Sequence, residues 1–187
     1  LTCSLGFGQT TFFTESFETT NGYTFPSGNG DSGQDFFDRT DLSGAPAQET
    51  FAYNSFNGTF FIAGEDIDGV LSSSVGEVLI SNIDISNQTS DIDSANDAMW
   101  VEVNLDNTGW VEIGRFEADI SSGSNSQFAE DTNGDFVGDG TKLNGNFADF
   151  TWSISGTGIS MDVRISMDLN SGDEEAAFDN IRIAGVS

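Results

Sequence analysis

From about residue 10 onward the chain runs in short stretches where apolar and polar side chains take turns, separated by clusters of Gly, Asn, Asp and Ser. Period-two alternation marks half-buried strands, because successive side chains on a strand point to opposite faces. The pattern predicts strands over residues 11–17, 36–40, 59–63, 78–85, 99–105, 110–117, 149–154, 160–169 and 177–184. Their even spacing, the turn residues between them and the lack of a long helical period predict an all-β chain folded as an antiparallel β-sandwich. Only residues 91–98 carry a weak helical pattern. There is no internal repeat and no linker long enough to divide residues 10–187, so a single domain is expected.

Alternation also assigns faces. Met99, Val101, Val103 and Leu105 share a core face, which turns Trp100, Glu102 and Asn104 outward. After the turn at residues 106–109, Val111 and Ile113 are expected inside, with Trp110 and Glu112 outside. The strand over 160–169 places Met161, Val163, Ile165, Met167 and Leu169 inward and Asp162, Arg164, Ser166 and Asp168 outward. At the end, Ile181 and Ile183 face inward together with Asp179, leaving Asn180 and Arg182 outside. Trp152, in phase with Phe150 and Ile154, is expected in the core.

The outer face thereby gathers Trp100, Trp110, Glu102, Glu112, Asn104 and Arg164. A pyranose ring has a C–H face that packs on an aromatic plane and hydroxyls that need carboxylate, amide or guanidinium partners, so this set predicts polysaccharide binding. The competing expectation is that neighbouring loops cover the tryptophans, which then only pack.

Residues 1–9 are small, apolar and uncharged, which resembles the tail of a secretory signal peptide, with the folded module over 10–187. The lone cysteine, Cys3, lies in this segment, either cleaved away with it or lipidated; a first strand is the remaining possibility. Either of the first two places the chain outside the cell or on its surface. No stretch is apolar and long enough to insert in a membrane as a helix.

Composition narrows the partners. The chain of 187 residues carries 31 acidic against 5 basic side chains, no histidine, and a formal charge of -26. Phosphate backbones and anionic lipid surfaces would repel it, because binding to either rests on Lys and Arg clusters. Neutral polysaccharides are easier to hold than polyanionic ones for the same reason. Without histidine there is no Ser-His-Asp or Cys-His set and no His-ligated zinc. Paired carboxylates could in principle hydrolyse glycosidic bonds. Yet the acidic run Glu65-Asp66-Ile67-Asp68 lacks a second Glu, and one lysine and two tyrosines leave little for lyase chemistry. A non-enzyme is expected.

Calcium, a hard cation, selects the oxygen donors in which the chain is rich. Asp131, Asn133, Asp135 and Asp139 lie in one loop, the first three at the spacing that opens an EF-hand. Phe136 and Lys142 stand where that motif needs Gly and Glu, so the loop would bind calcium in another geometry or form a solvated Asx-rich turn. Residues 64–69 are a weaker candidate for a calcium loop and read rather as a turn. Asp179, turned inward among Ile181 and Ile183, needs a cation or several donors, because burying a bare carboxylate is costly.

Glu15-Ser16-Phe17-Glu18 near the start and Phe178-Asp179-Asn180-Ile181-Arg182-Ile183 at the close resemble the first and last strands of calcium-containing jelly-roll carbohydrate-binding modules. The resemblance implies a jelly-roll sandwich of the concanavalin-like or galactose-binding-like kind, with Glu18 and Asp179 as ligands of a structural calcium ion. Asp-Phe-Phe-Asp-Arg-Thr-Asp (35–41), Gly-Thr-Phe-Phe-Ile-Ala-Gly-Glu-Asp-Ile-Asp-Gly (58–69), the Asp131 loop and Gly-Asp-Glu-Glu-Ala-Ala-Phe-Asp-Asn (172–180) are similar to a module recurring in secreted multidomain proteins of marine Bacteroidetes-type bacteria. It implies covalently linked neighbouring domains. The expectation is thus a secreted or cell-surface, calcium-stabilised, non-catalytic carbohydrate-binding module; the alternative is a structural or adhesive calcium-binding sandwich without a glycan ligand.

Overall fold

A computed structural model describes residues 10–25, 36–41, 43, 53, 55–65, 67–76 (backbone), 97–119, 127–169 and 175–185. Eleven strands run through them in chain order: β1 Thr10–Glu15, β2 Tyr23–Thr24, β3 Phe36–Thr40, β4 Phe61–Glu65, β5 Ile67–Gly76, β6 Ala98–Leu105, β7 Val111–Ala118, β8 Phe128–Glu130, β9 Met161–Leu169, β10 Glu175–Phe178 and β11 Ile181–Gly185. The fold is all-β and antiparallel, with no helix among the described residues. The largest sheet has the order β2-β5-β9-β6-β7-β8; a second has β10-β4-β3; β1 and β11 pair with each other.

One apolar core joins these sheets. The large sheet supplies Met99, Val101, Val103, Phe116, Val163, Ile165, Met167 and Leu169; the others supply Phe37, Ile62, Phe178, Ile181 and Ile183. This is sandwich packing, each sheet hiding one face against the other. Every residue of β4 is buried, because Ile62 points into this core while Phe61 and Ala63 point the other way. There Phe61 and Ala63 meet Tyr53 and Ala177, with Phe56 and Phe147 packed on top. A strand covered on both faces reads as a continuous apolar run, as Phe-Phe-Ile-Ala does here.

The expected strands over 36–40, 99–105 and 160–169 match β3, β6 and β9 within one residue at each end. Three expectations are corrected. Of residues 64–69, expected as a turn, 64–65 instead end β4 and 67–69 begin β5, whose Gly- and Ser-rich stretch has poor strand propensity but pairs along β9. The expected strand over 149–154 is reduced to a single bridge residue, Thr151; its side chains still take their places, with Phe150 and Trp152 stacked at 6.1 Å against Phe116. The expected last strand is two, β10 on β4 and β11 on β1. Between them Asn180 adopts φ 50°, and the chain changes sheet at Asp179. Residues 1–9, the expected strand over 78–85 and the weakly helical stretch up to residue 96 lie outside the described residues.

Candidate functional site

The β6–β7 hairpin builds the outer face. Asp106 and Asn107 both adopt positive φ, 52° and 58°, and the Thr108 N–H donates to the Leu105 carbonyl at 3.0 Å. Both central residues of a type I′ turn need that conformation, which Asn and Asp tolerate best after Gly. Asn104 Oδ1 accepts the Gly109 N–H at 2.9 Å, so this expected ligand residue serves the turn.

Register then changes. Val101 faces Gly114, but Glu102 faces Glu112, which leaves Ile113 as an extra residue in β7. This β-bulge reverses the alternation beyond it. Phe116 and Ala118 therefore enter the core, while Arg115 joins Trp100, Glu102 and Glu112 outside. Val111, expected inside, lies opposite Val103 at the rim and is 60% exposed.

Glu102 and Glu112, directly opposite each other, would repel. Two arginines relieve them. Arg164, opposite Glu102 on β9, places Nε at 2.8 Å and Nη2 at 2.7 Å from Glu102 Oε2, which also accepts Trp100 Nε1–H at 3.2 Å. Arg115 grips Glu112 through Nε at 3.0 Å and Nη2 at 2.9 Å, and Glu117 through Nη1 at 2.7 Å. Burial opposes the Arg115 charge, but the two carboxylates outweigh it and hold the guanidinium above its ordinary pKa. Burial also pushes Glu117 up, against the pull of Arg115.

Each guanidinium lies over an aromatic ring: Arg164 at 4.3 Å from the Trp110 centroid, and Arg115 at 5.1 Å from Trp100 and 5.2 Å from Phe136. The structure thus brings together Trp100, Glu102, Trp110, Glu112 and Arg164, with Asn104 at the turn. It adds Arg115 and Phe136, which alternation alone overlooks. The signal for Arg115 is present in the sequence: apolar residues of β7 occupy odd positions at 111 and 113 and even ones at 116 and 118, and such a phase slip marks a bulge.

In the Asp131 loop the acidic side chains face the loop's own amides. Asp131 accepts N–H donors from Asn133 (3.2 Å), Gly134 (2.7 Å) and Phe136 (3.0 Å). Asn133 and Asp135 accept from Asp135 and Val137 at 2.9 and 3.1 Å. Asp139 accepts from the Thr132 amide and hydroxyl at 2.9 and 2.7 Å and from the Asn133 side-chain amide at 2.8 Å. These bonds hold the Asp139 carboxyl below its usual range. Gly134 and Phe136 take φ 78° and 63°.

Glu18 and Asp179 meet on a different loop. Glu18 Oε1 accepts the Thr59 and Phe60 N–H groups at 2.7 and 2.9 Å. Asp179, 1% exposed, accepts from the Asn57 and Asn180 N–H groups, each at 2.6 Å. Burial pushes the Asp179 carboxyl up to about 7, and the nearby charges of Glu18 and Glu15 push the same way. Asp179 lines a cleft of about 210 Å³ with Ser55, Asn57, Phe147, Ala148 and Asp149. Arg39 donates to the Phe17 and Glu18 carbonyls beside it and lies over the Phe60 ring. Among the described residues, no three Asp, Glu, Cys or His side chains converge on one point, and no helix is long and apolar enough to cross a membrane.

No protein-family profile and no curated protein matches the chain. Among solved structures, it is similar to the CBM22-1 xylan-binding domain of Paenibacillus barcinonensis Xyn10C, at TM-score 0.44 and 11% identity, covering 96% of this chain and 97% of that one. It is also similar to TmCBM61, solved with β-1,4-galactotriose, at TM-score 0.38 and 11% identity, covering 91% and 99%.

Proposed function

We propose that this chain is a non-catalytic carbohydrate-binding module of a secreted or cell-surface protein, covalently linked to other domains, and that its ligand is a neutral polysaccharide. The observation that carries the reading is the outer face of the large sheet, where Trp110, 37% exposed, and Trp100 stand in line on guanidiniums already neutralised by carboxylates. Each stacking plane is fixed by a guanidinium on one face, and Glu102 and Glu112 keep lone pairs to accept sugar hydroxyls. Two arginines against Glu102, Glu112 and Glu117 leave no surplus positive charge for sulfates or uronates.

Affinity electrophoresis and calorimetry against soluble glucan, mannan, xylan and galactan test this. Binding to at least one is expected, with Trp100→Ala and Trp110→Ala each weakening it about ten-fold, the equivalent of ~1.4 kcal/mol. Loss of stability without loss of binding in both variants would favour a structural or adhesive module instead. That second reading draws on the same stacking, since each guanidinium covers one face of its tryptophan.

Calcium belongs to the same proposal, at Glu18 and Asp179. What supports it is the paired negative charge of Glu18 and Asp179, both bonded to amides of the loop at residues 57–60, which a hard cation would offset. These side chains would hold the ion, and the ion would stabilise the native loop; it plays no part in glycan contact. Excess chelator is expected to lower the melting temperature, because a ligand bound only by the native state is lost. An unchanged melting curve would remove the ion from the account.

A further inference from the structure

Phe136 combines features that folding alone does not reward. Its ring is 64% exposed, and its backbone sits in the left-handed region at φ 63°, where a side chain with a bulky Cβ substituent is disfavoured. A solvated Asn or Gly would fit that turn better. The surrounding loop nevertheless enforces the conformation: Asp131 takes the amides of residues 133, 134 and 136, while Asp139 ties Thr132 and Asn133 across the loop. Strain that the surroundings over-determine is a pointer to function.

Position says which function. Arg115 lies between two rings, 5.1 Å from Trp100 and 5.2 Å from Phe136. Its guanidinium N–H groups point sideways to Glu112 and Glu117, so its π-faces remain for the aromatics. Phe136 comes from the loop after β8, the strand beyond β7 at the sheet edge. It therefore continues the series that starts with Trp110 over Arg164 and passes through Trp100.

We infer that Phe136 is a third stacking platform of the glycan face, carried by the Asp131 loop beyond the sheet edge, and that it makes the site select chains over single terminal sugars. This rests on the glycan reading above. The acidic loop then acts as a self-bonded scaffold that presents one ring, and its negative charge adds to the exclusion of polyanions. A short ligand reaches Trp100 and Trp110 alone, whereas a longer one also covers Phe136 and gains affinity from it.

Calorimetry with disaccharides and hexasaccharides of the neutral gluco-, manno-, xylo- and galacto-series separates the two claims. Wild type is expected to prefer the hexasaccharide of at least one series. Phe136→Ala and Phe136→Gly should weaken hexasaccharide binding about five- to ten-fold, leave the disaccharide unchanged, and regain affinity as Phe136→Trp. Phe136→Gly should not lower the melting temperature, since glycine suits the left-handed backbone. Hexasaccharide affinity equal to wild type in Phe136→Ala overturns the inference, and leaves the glycan reading intact if Trp100→Ala still loses binding. Equal losses on both ligands with a lowered melting point would show a scaffold role and also overturn it. No binding of any series by wild type removes both claims.

Discussion

Arg115 ties several side chains of the outer face together. It bridges Glu112 to Glu117 and lies between Trp100 and Phe136. Removing it leaves two carboxylates close together, one of them largely buried, with no cation between them. Arg115→Ala should therefore destabilise the chain by about 1–3 kcal/mol, more than an exposed ion pair is worth. Arg115→Lys should recover only part, because an ammonium cannot hold two carboxylates with a planar fork and stack between rings. Urea unfolding of the three proteins checks the order, and a lysine variant as stable as wild type would show that charge alone suffices.

At the scale of elements, the bulge at Ile113 matters most. It brings Gly114 to the core face opposite Val101, directly under Trp152. A Cβ at Gly114 would lie 2.3 Å from Trp152 Cε2, so the indole and its Nε1–H bond to Glu130 would have to move. Gly114→Ala should cost about 1–3 kcal/mol, as overpacking does, and should shift the indole Nε1–H resonance of Trp152. A resonance left in place would mean that the sheet, and not the indole, gives way. Strands with clean alternation, β6 and β9, were legible because a partner lies on each side and one face is core. Arg115 and Phe116 were not, since a bulge shifts their faces and only the phase slip discloses it. The strand β5 was hidden by its serines and glycines, whose place in the sheet is set by the edge of β9 and not by local preference. Phe136 lay hidden for a different reason: the acidic residues around it draw attention to their oxygens, while its place over Arg115 depends on a fold of the loop that no local pattern marks.

For the whole molecule, the charge of -26 acts through the few carboxylates that folding buries. Asp179 is the clearest, raised from 3.8 to about 7 by burial and by Glu18 and Glu15. Between these values the native state binds more protons than the unfolded chain, so the contribution of Asp179 to stability is full below about 4 and is lost as the pH rises through 7. In chelator the melting temperature should thus be higher near pH 5.5 than near pH 8.5, by several degrees at roughly 2–4 °C per kcal/mol for a chain of this length. Calcium should raise the pH 8.5 value and shrink the difference, because a cation takes the place of the proton. Asp179→Asn carries no charge and keeps one of the two oxygens that accept the Asn57 and Asn180 amides, so it should lower stability at every pH but flatten the pH dependence and remove the response to calcium. A slope that persists in Asp179→Asn would assign the effect to the summed repulsion of the surface acids, which added salt would screen at any site. A slope that vanishes would place it at the point where the chain passes from the β4 sheet to β1, where a single proton or cation settles whether that crossover is strained or relaxed.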